Sequence, residues 1–375
     1  MLKSKIQKNI PEGWRQMKLG EVCDIVMGQS PSSNSYNENF IGIPLIQGNN
    51  DIKKGKIIEN VYTSEITKIS EKDSIILTVR APVGCIGIAH KKVCIGRGVC
   101  SINAKKENQD FIFYFLKFFE PKWVSLEQGS TFTAVNSSDI KKLKFVLPPL
   151  PEQNCIVMVL ETWDEYLEKL SKKIEAKKNI KKGLMQKLLT GKKRLSGFNN
   201  KWEILLLNDI CKIKTGKKDV NEGNPNGRYP FFTCAKEYTY SDNYSFNTEA
   251  ILIAGNGEVG NCQYYKGRFE AYQRTYILSD FLKNIKYVFN YLNYFFQNFI
   301  DSKKQMGAMP YIKIDMLKNY EIKIPKDLKE QKAIAEVLTT ADQEIEALEE
   351  KKKIIKVQKK YLLNNLITGK IRVPV

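Results

Sequence analysis

The sequence predicts an α+β fold written twice: two α/β blocks separated by two long antiparallel helices forming a coiled coil, with a pseudo-twofold internal repeat. Three observations predict it. The first is an echo. Glu152-Gln153 matches Glu330-Gln331, Leu160 matches Leu338, Asp164 matches Asp342, and Thr190-Gly191-Lys192 matches Thr368-Gly369-Lys370, every pair 178 residues apart. "GWRQMKLGEVCDIVMG" (13–28) likewise aligns with "KWEILLLNDICKIKTG" (201–216) at an offset of 188, and "SIILTVRAPVGC" (74–85) with "AILIAGNGEVGN" (250–261) at 176. A repeat of this kind dictates architecture, and the drifting offset marks loops of different length. The chain is one unit written twice, each a variable block followed by a similar tail.

The second observation is apolar spacing in the tails. Leu160, Trp163, Leu167, Leu170 and Ile174 fall three and four apart, and the stripe resumes at Leu184 and Leu188. Leu338, Ala341, Ile345 and Leu348 do the same and resume at Ile355, Leu362 and Leu366. This is a narrow coiled-coil seam. Neither tail has an internal proline, and each ends at Thr-Gly, where glycine suits a helix C-cap. Helices of this length span roughly 57 Å at about 1.5 Å per residue.

The third is charge polarity. Residues 152–168 carry five acids and no Lys or Arg, whereas 169–194 carry eleven bases and one acid. The second tail repeats this, with −4 over 330–346 and +6 over 347–372. Antiparallel pairing lays each acidic half along a basic half, while parallel pairing would crowd like charges. Each exposed pair contributes only about 0–1 kcal/mol, but many of one sign select an orientation, and acids at the start with bases at the end also suit the helix macrodipole. Merely solvated faces are the alternative; the same polarity in both copies argues against it.

The 375 residues, 42% of them apolar, allow two or three domains with real cores. No stretch approaches a membrane span and no signal peptide opens the chain, so a cytoplasmic location is expected. Eight cysteines without a C-x-x-C and a lone histidine, His90, fit no familiar zinc spacing and predict buried free thiols and no metal. The net charge of +19 favours a polyanionic partner. The blocks are only mildly basic, +7 over 1–151 and +5 over 195–329.

Each block opens on a tryptophan-led segment and continues through short β-type runs. An aromatic helix-like stretch comes next, "FIFYFLKFF" (111–119) or "YVFNYLNYFFQNF" (287–299), and a strand before the long helix closes the block. Between these elements lie loops rich in the residue types that hydrogen-bond base edges and phosphates, and that also populate ordinary surfaces. The candidate DNA contacts in the first block are Gln29, Ser30, Ser32, Ser33, Asn34, Gln47, Asn49, Asn50, Arg80, Arg97, Ser130, Thr131 and Thr133. In the second block they are Lys217, Lys218, Arg228, Lys236, Asn256, Gln273, Arg274 and Tyr311. Among these Arg80, Arg97, Arg228 and Arg274 are favoured; the alternative for each is a surface ion pair.

Enzymatic motifs mostly fail. "GNGEVG" (255–260) is a literal G-x-G-x-x-G after an apolar strand, with Asp280 some way downstream, but the segment after it is strand-like, so a pyrophosphate would lack its helix N-terminus. It reads as a hairpin turn; a nucleotide-dependent oxidoreductase using Gly255, Gly257 and Gly260 remains the competing reading. No Walker motif is present, Pro148-Pro149 is not in the catalytic context of an amino-methyltransferase, and His90 has no evident triad partner. A coiled-coil adaptor with no nucleic-acid role is the third alternative.

The whole chain resembles the specificity subunit of type I restriction-modification systems. "PEGW" (11–14), "VRAPVGCIG" (79–87), "QGSTFTAVNSSDIKKLKFVLPPLPEQ" (128–153) and the endings "LLTGK" and "LITGK" carry the resemblance. The second copy departs from it, with Lys326-Asp327 in place of the second proline. The resemblance implies target-recognition domains over 1–149 and 193–326, each reading half of a bipartite asymmetric site in double-stranded DNA, and long helices within 150–192 and 327–375 that space the half-sites. It implies that the helices, with the Glu-Gln and Thr-Gly-Lys segments, dock two modification methyltransferase subunits, and that restriction subunits with motor and nuclease functions join outside. The chain itself would be non-catalytic and hold no cofactor; S-adenosylmethionine, ATP and magnesium would belong to the partners.

Overall fold

The structure is a computed structural model describing residues 10–128, 134–303 and 311–374. Four long helices are named α1 (Gln109–Gln128), α2 (Leu150–Leu188), α3 (Ile285–Lys303) and α4 (Leu328–Leu366). The chain forms two compact units, Met1–Lys169 with Lys352–Val375, and Leu170–Lys351. Both boundaries fall mid-helix, so each unit holds one block and about half of each 39-residue helix.

In the first unit, the strand Arg15–Lys18 pairs antiparallel with Lys144–Leu147, the last strand before α2. A six-stranded sheet runs in the order Cys23–Met27, Val99–Ala104, Ile75–Thr78, Ile86–Ile88, Lys56–Ile57, Ile52–Lys53, and shorter strands form a second sheet of five. The unbroken run Ile75–Thr78 is buried on both faces, as expected of a central strand covered on each side. The aromatic run is helical, and Phe111, Ile112, Phe115, Leu116 and Phe119 of α1 join Leu19, Ile75, Leu77 and Ile102 in the core.

The second unit repeats the plan. Trp202–Leu206 pairs with Glu321–Pro325, a six-stranded sheet includes the long hairpin Phe246–Ala254 and Cys262–Ala271, and α3 buries Tyr287, Val288, Tyr291, Leu292, Phe296 and Ile300. The "GNGEVG" segment is the turn of that hairpin: Ala254 N–H donates to the carbonyl of Asn261, and Gly257 and Gly260 take left-handed backbone angles of 61° and 83°. It leads into a strand, which removes the helix terminus that a dinucleotide would need.

Within each unit the helix segments run antiparallel, as the charge polarity predicts. In the first, Lys359 pairs with Asp164; in the second, Lys177 meets Glu344 at 2.7 Å, Lys178 meets Glu349 at 2.7 Å, and Lys181 pairs with Asp342. Of the predicted seam, Leu170, Ile174 and Ile345 are buried and Trp163, Leu167, Ala341, Leu348 and Ile355 half-buried. The rest is drawn into the cores of the blocks as well. Leu160 and Leu366 belong to the first block's core, with Leu362 packed against it, and Leu188 and Leu338 belong to the second's, with Leu184 packed against it. The helix ends are buried by sheets and aromatic helices, so the seam proper is shorter than the apolar stripe.

A lock closes each unit. After α4 the chain turns at Gly369, with φ of 69°, and Ile371 N–H bonds back to Asn365. Arg372 then grips Glu152 with two bonds of 2.5 and 2.8 Å, while Trp14 Nε1 donates to the same carboxylate at 3.0 Å. Beside it Gln153 accepts from the backbone of Asn108 and donates to Glu107 and to the carbonyl of Pro148. In the second unit Gly191 has φ of 73°, Arg194 grips Glu330 at 2.5 and 2.7 Å, and Gln331 accepts from Asn284 and donates to Pro325. Glu152, Gln153, Glu330 and Gln331 are all buried. These side chains are thus engaged within the unit: a carboxylate removed from water needs a charged, hydrogen-bonding partner, and an arginine of the other long helix's tail supplies it.

The locks differ at the tryptophan. Trp202 Nε1, the counterpart of Trp14 Nε1, is buried without an acceptor. Trp14→Phe is therefore expected to cost about 1.5–3 kcal/mol, the worth of a hydrogen bond to a charged group, and Trp202→Phe much less. Urea unfolding of the two variants measures the difference.

Candidate nucleic-acid interface

In the first block, strand ends bring four separated loops together. Gln29 N–H bonds to Ile95, Arg97 N–H donates to Ser30 Oγ at 3.1 Å, Val79 N–H bonds to Gly98, and Arg80 forms a β-bridge with Ala134. Gly98 lies so close to the Gln47 carbonyl that a Cβ there would stand 2.0 Å from its oxygen; only glycine lets these loops meet. Gln29, Ser30, Gln47, Arg80 and Arg97 thus share one loop cluster. Asn49 and Asn50 come next in an exposed turn whose base is held by Asp51, which accepts from the backbone of Gln47 and Gly48.

Two of these candidates serve the scaffold instead. Ser30 Oγ is occupied by the Arg97 backbone, and Gln47 Nε2 donates to the Tyr36 hydroxyl at 2.9 Å. Ser32, Ser33 and Asn34 are exposed, with Ser32 N–H held by Glu65. Ser130, Thr131 and Thr133 lie outside the described residues.

The second block builds a comparable cluster. Lys218 bridges Tyr272, Gln273 N–H bonds to Lys218, Gly255 N–H bonds to Arg274, and Ile312 N–H bonds to Gly255. Gln263 supports the backbone of Ala235 and Lys236. Lys217, Lys236, Gln273, Arg274 and Tyr311 are exposed there, and Asn256 is half-buried in the hairpin turn.

Lys218 is not a free contact. Its ammonium lies 3.9 Å from Glu270, a fully buried carboxylate that also accepts from Ser245 at 2.7 Å, so it balances an interior charge. Arg228 stands at the start of the strand Tyr229–Phe232, away from the Phe232 end that bonds Tyr272.

The eight arginines sort by partner. Arg15, Arg194 and Arg372 are paired with Glu107, Glu330 and Glu152. Arg80, Arg97, Arg228, Arg268 and Arg274 are exposed, and none has a carboxylate within ion-pair distance among the described residues. The surface ion pair considered for Arg80, Arg97, Arg228 and Arg274 is thus absent among those residues. Arg268 is the one that sequence reasoning missed; the signal was alternation in "YKGRFEA", where Lys266 and Arg268 face outward between less exposed neighbours.

All eight cysteines are free, and burial pushes the thiols of Cys23, Cys100, Cys211 and Cys262 up to about 12, so they stay protonated at neutral pH. Among the described residues no group of three or more His, Cys, Asp or Glu side chains could hold a metal ion, and no helix is long and apolar enough to cross a membrane.

The chain is similar to known proteins along nearly its whole length. The type I restriction modification DNA specificity domain matches residues 11–178 and again 199–359. A protein described as the putative type I restriction enzyme MjaX specificity subunit of Methanocaldococcus jannaschii is 41% identical over 192 residues, a match spanning 50% of this chain but only 45% of that relative. The MjaVIII specificity subunit of the same organism is 26% identical over 97% of this chain and 94% of its own. A crystal structure of a type I restriction-modification S subunit from M. genitalium has the same fold, with a TM-score of 0.66 at 19% identity over 97% of this chain and 98% of that one. With the domain matched twice over most of its length, the chain belongs to the type I restriction modification DNA specificity domain family.

Proposed function

We propose that this chain is the DNA-recognition subunit of a type I restriction-modification complex, each block reading one half of a bipartite, asymmetric duplex site. The observation that carries the reading is the sorting of arginines: three pair with glutamates, and five present guanidinia on the two blocks with no carboxylate partner among the described residues. Such a guanidinium, displayed from a loop, is suited to bidentate contact with guanine or phosphate. Arg80 and Arg97 serve the first half-site and Arg274 the second, with Gln29, Asn49, Asn50, Lys217, Lys236, Asn256, Gln273 and Tyr311 around them.

The two long helices act as the spacer and as the docking ground for two methyltransferase subunits. Their exposed side chains, not the buried Glu-Gln pairs, make those contacts. Restriction subunits join from outside, and S-adenosylmethionine, ATP and magnesium are bound by the partners. The dissimilarity of the two blocks, set against the likeness of their tails, suits different half-sites read from equivalent docking positions.

Two outcomes test this. Arg80→Gln or Arg97→Gln should relax specificity at one half-site only, and Arg274→Gln at the other, each by about 1–3 kcal/mol for every base contact removed; methylome sequencing of cells carrying each variant reads the altered sites. Removing seven residues from both helices should shorten the rods by about 10 Å and change the gap between half-sites while leaving both half-sites intact, as read from the same methylomes. An unchanged gap would refute the spacer role.

A further inference from the structure

A side-chain cluster in the second unit is not used by the loops above. Arg228 lies over the ring of Tyr229, with 5.9 Å from guanidinium carbon to centroid, and Arg268 lies over the ring of Tyr244 at 5.0 Å. The two tyrosine rings are themselves in contact, with centroids 4.8 Å apart. The four form a continuous row, guanidinium, ring, ring, guanidinium, drawn from two strands and a loop.

Both arginines are exposed, and Tyr244 is 40% exposed. The acids nearest in sequence are otherwise engaged: Glu222 accepts from the Asp219 backbone N–H, Asp242 accepts from the Asn224 amide, and Glu270 is buried with Ser245 and Lys218. A cation is attracted to the electron-rich face of an aromatic ring, which orients the guanidinium while its N–H edge stays open. That edge matches a phosphate in fork geometry. The row also adjoins the loop cluster, because Lys218 donates to Ser241, the residue paired with Tyr229 across the sheet edge.

We infer that Arg228 and Arg268, oriented by Tyr229 and Tyr244, form a phosphate-binding row that holds the backbone of the duplex read by the second block. This rests on the DNA-reading function proposed above and gives Arg228 a different part from Arg274: affinity and register without base discrimination. Counterion release makes the distinction measurable, since removing one phosphate contact lowers the slope of log affinity against log salt by about one.

The test uses the full chain assembled with its methyltransferase subunits and a duplex of random sequence, with affinity measured across a salt series. Arg228→Gln with Arg268→Gln should reduce the slope by about two, while Arg228→Lys with Arg268→Lys should keep most of it and the methylated sequence should not change. An unchanged slope in the Gln pair, with wild-type binding intact, overturns the row. So does an altered methylated sequence, which would mean that these residues read bases, or a loss of methyltransferase assembly with the slope unchanged, which would make the row a protein contact. Absence of DNA binding by the wild-type assembly would instead overturn the function on which the inference rests.

Discussion

The buried carboxylate at the start of each long helix is the constraint on which the rest depends. Glu152 and Glu330 are removed from water, and each is held by an arginine reached only after the other helix has ended and turned at glycine. An unpaired interior charge is prohibitive, so the lock fixes where each helix tail must lie. Antiparallel alignment within each unit follows from the lock together with the pairing of acidic with basic helix halves. The tryptophan at each block's entry packs on the same arginine, 5.6 Å away in the first unit and 5.7 Å in the second, so the start of the block is tied to the same point.

Much of this is legible in the sequence, for a physical reason. Helix period and charge polarity are local signals, and a duplication presents each of them twice. The order of strands and then helix in the blocks is also legible, because the aromatic runs at 111–119 and 287–299 are too long for strands and both are helical. The locks are not legible. Glu152 and Arg372 stand 220 positions apart, and nothing in the neighbourhood of either announces the other. The extent of the seam is hidden for a related reason: Leu160 and Leu366 have coiled-coil spacing, but spacing does not say which neighbour does the burying.

The candidate interface divides the same way. Residue type and loop position draw attention to Arg80, Arg97 and Arg274, which are exposed and without a carboxylate partner among the described residues. Lys218 looks identical to Lys217 in sequence, yet one balances buried Glu270 and the other stands exposed, a difference set by a strand 52 residues downstream. Ser30 and Gln47 have the chemistry of base readers but are occupied in holding loops together. Polar composition marks a loop cluster; only the hydrogen-bond partners tell readers from scaffold.

The strand pairs Arg15–Lys18 with Lys144–Leu147 and Trp202–Leu206 with Glu321–Pro325 make each block begin and end at one place. Everything between those strands is a cassette plugged into a two-strand socket. Loops in its interior can drift or lengthen without moving the plug, whereas Glu107 and Asn108, which hold Gln153, and the α1 residues packed with Leu160 and Leu366 tie it to the long helices. A change in such a loop therefore alters the surface that a block presents while its attachment to the long helices stays the same.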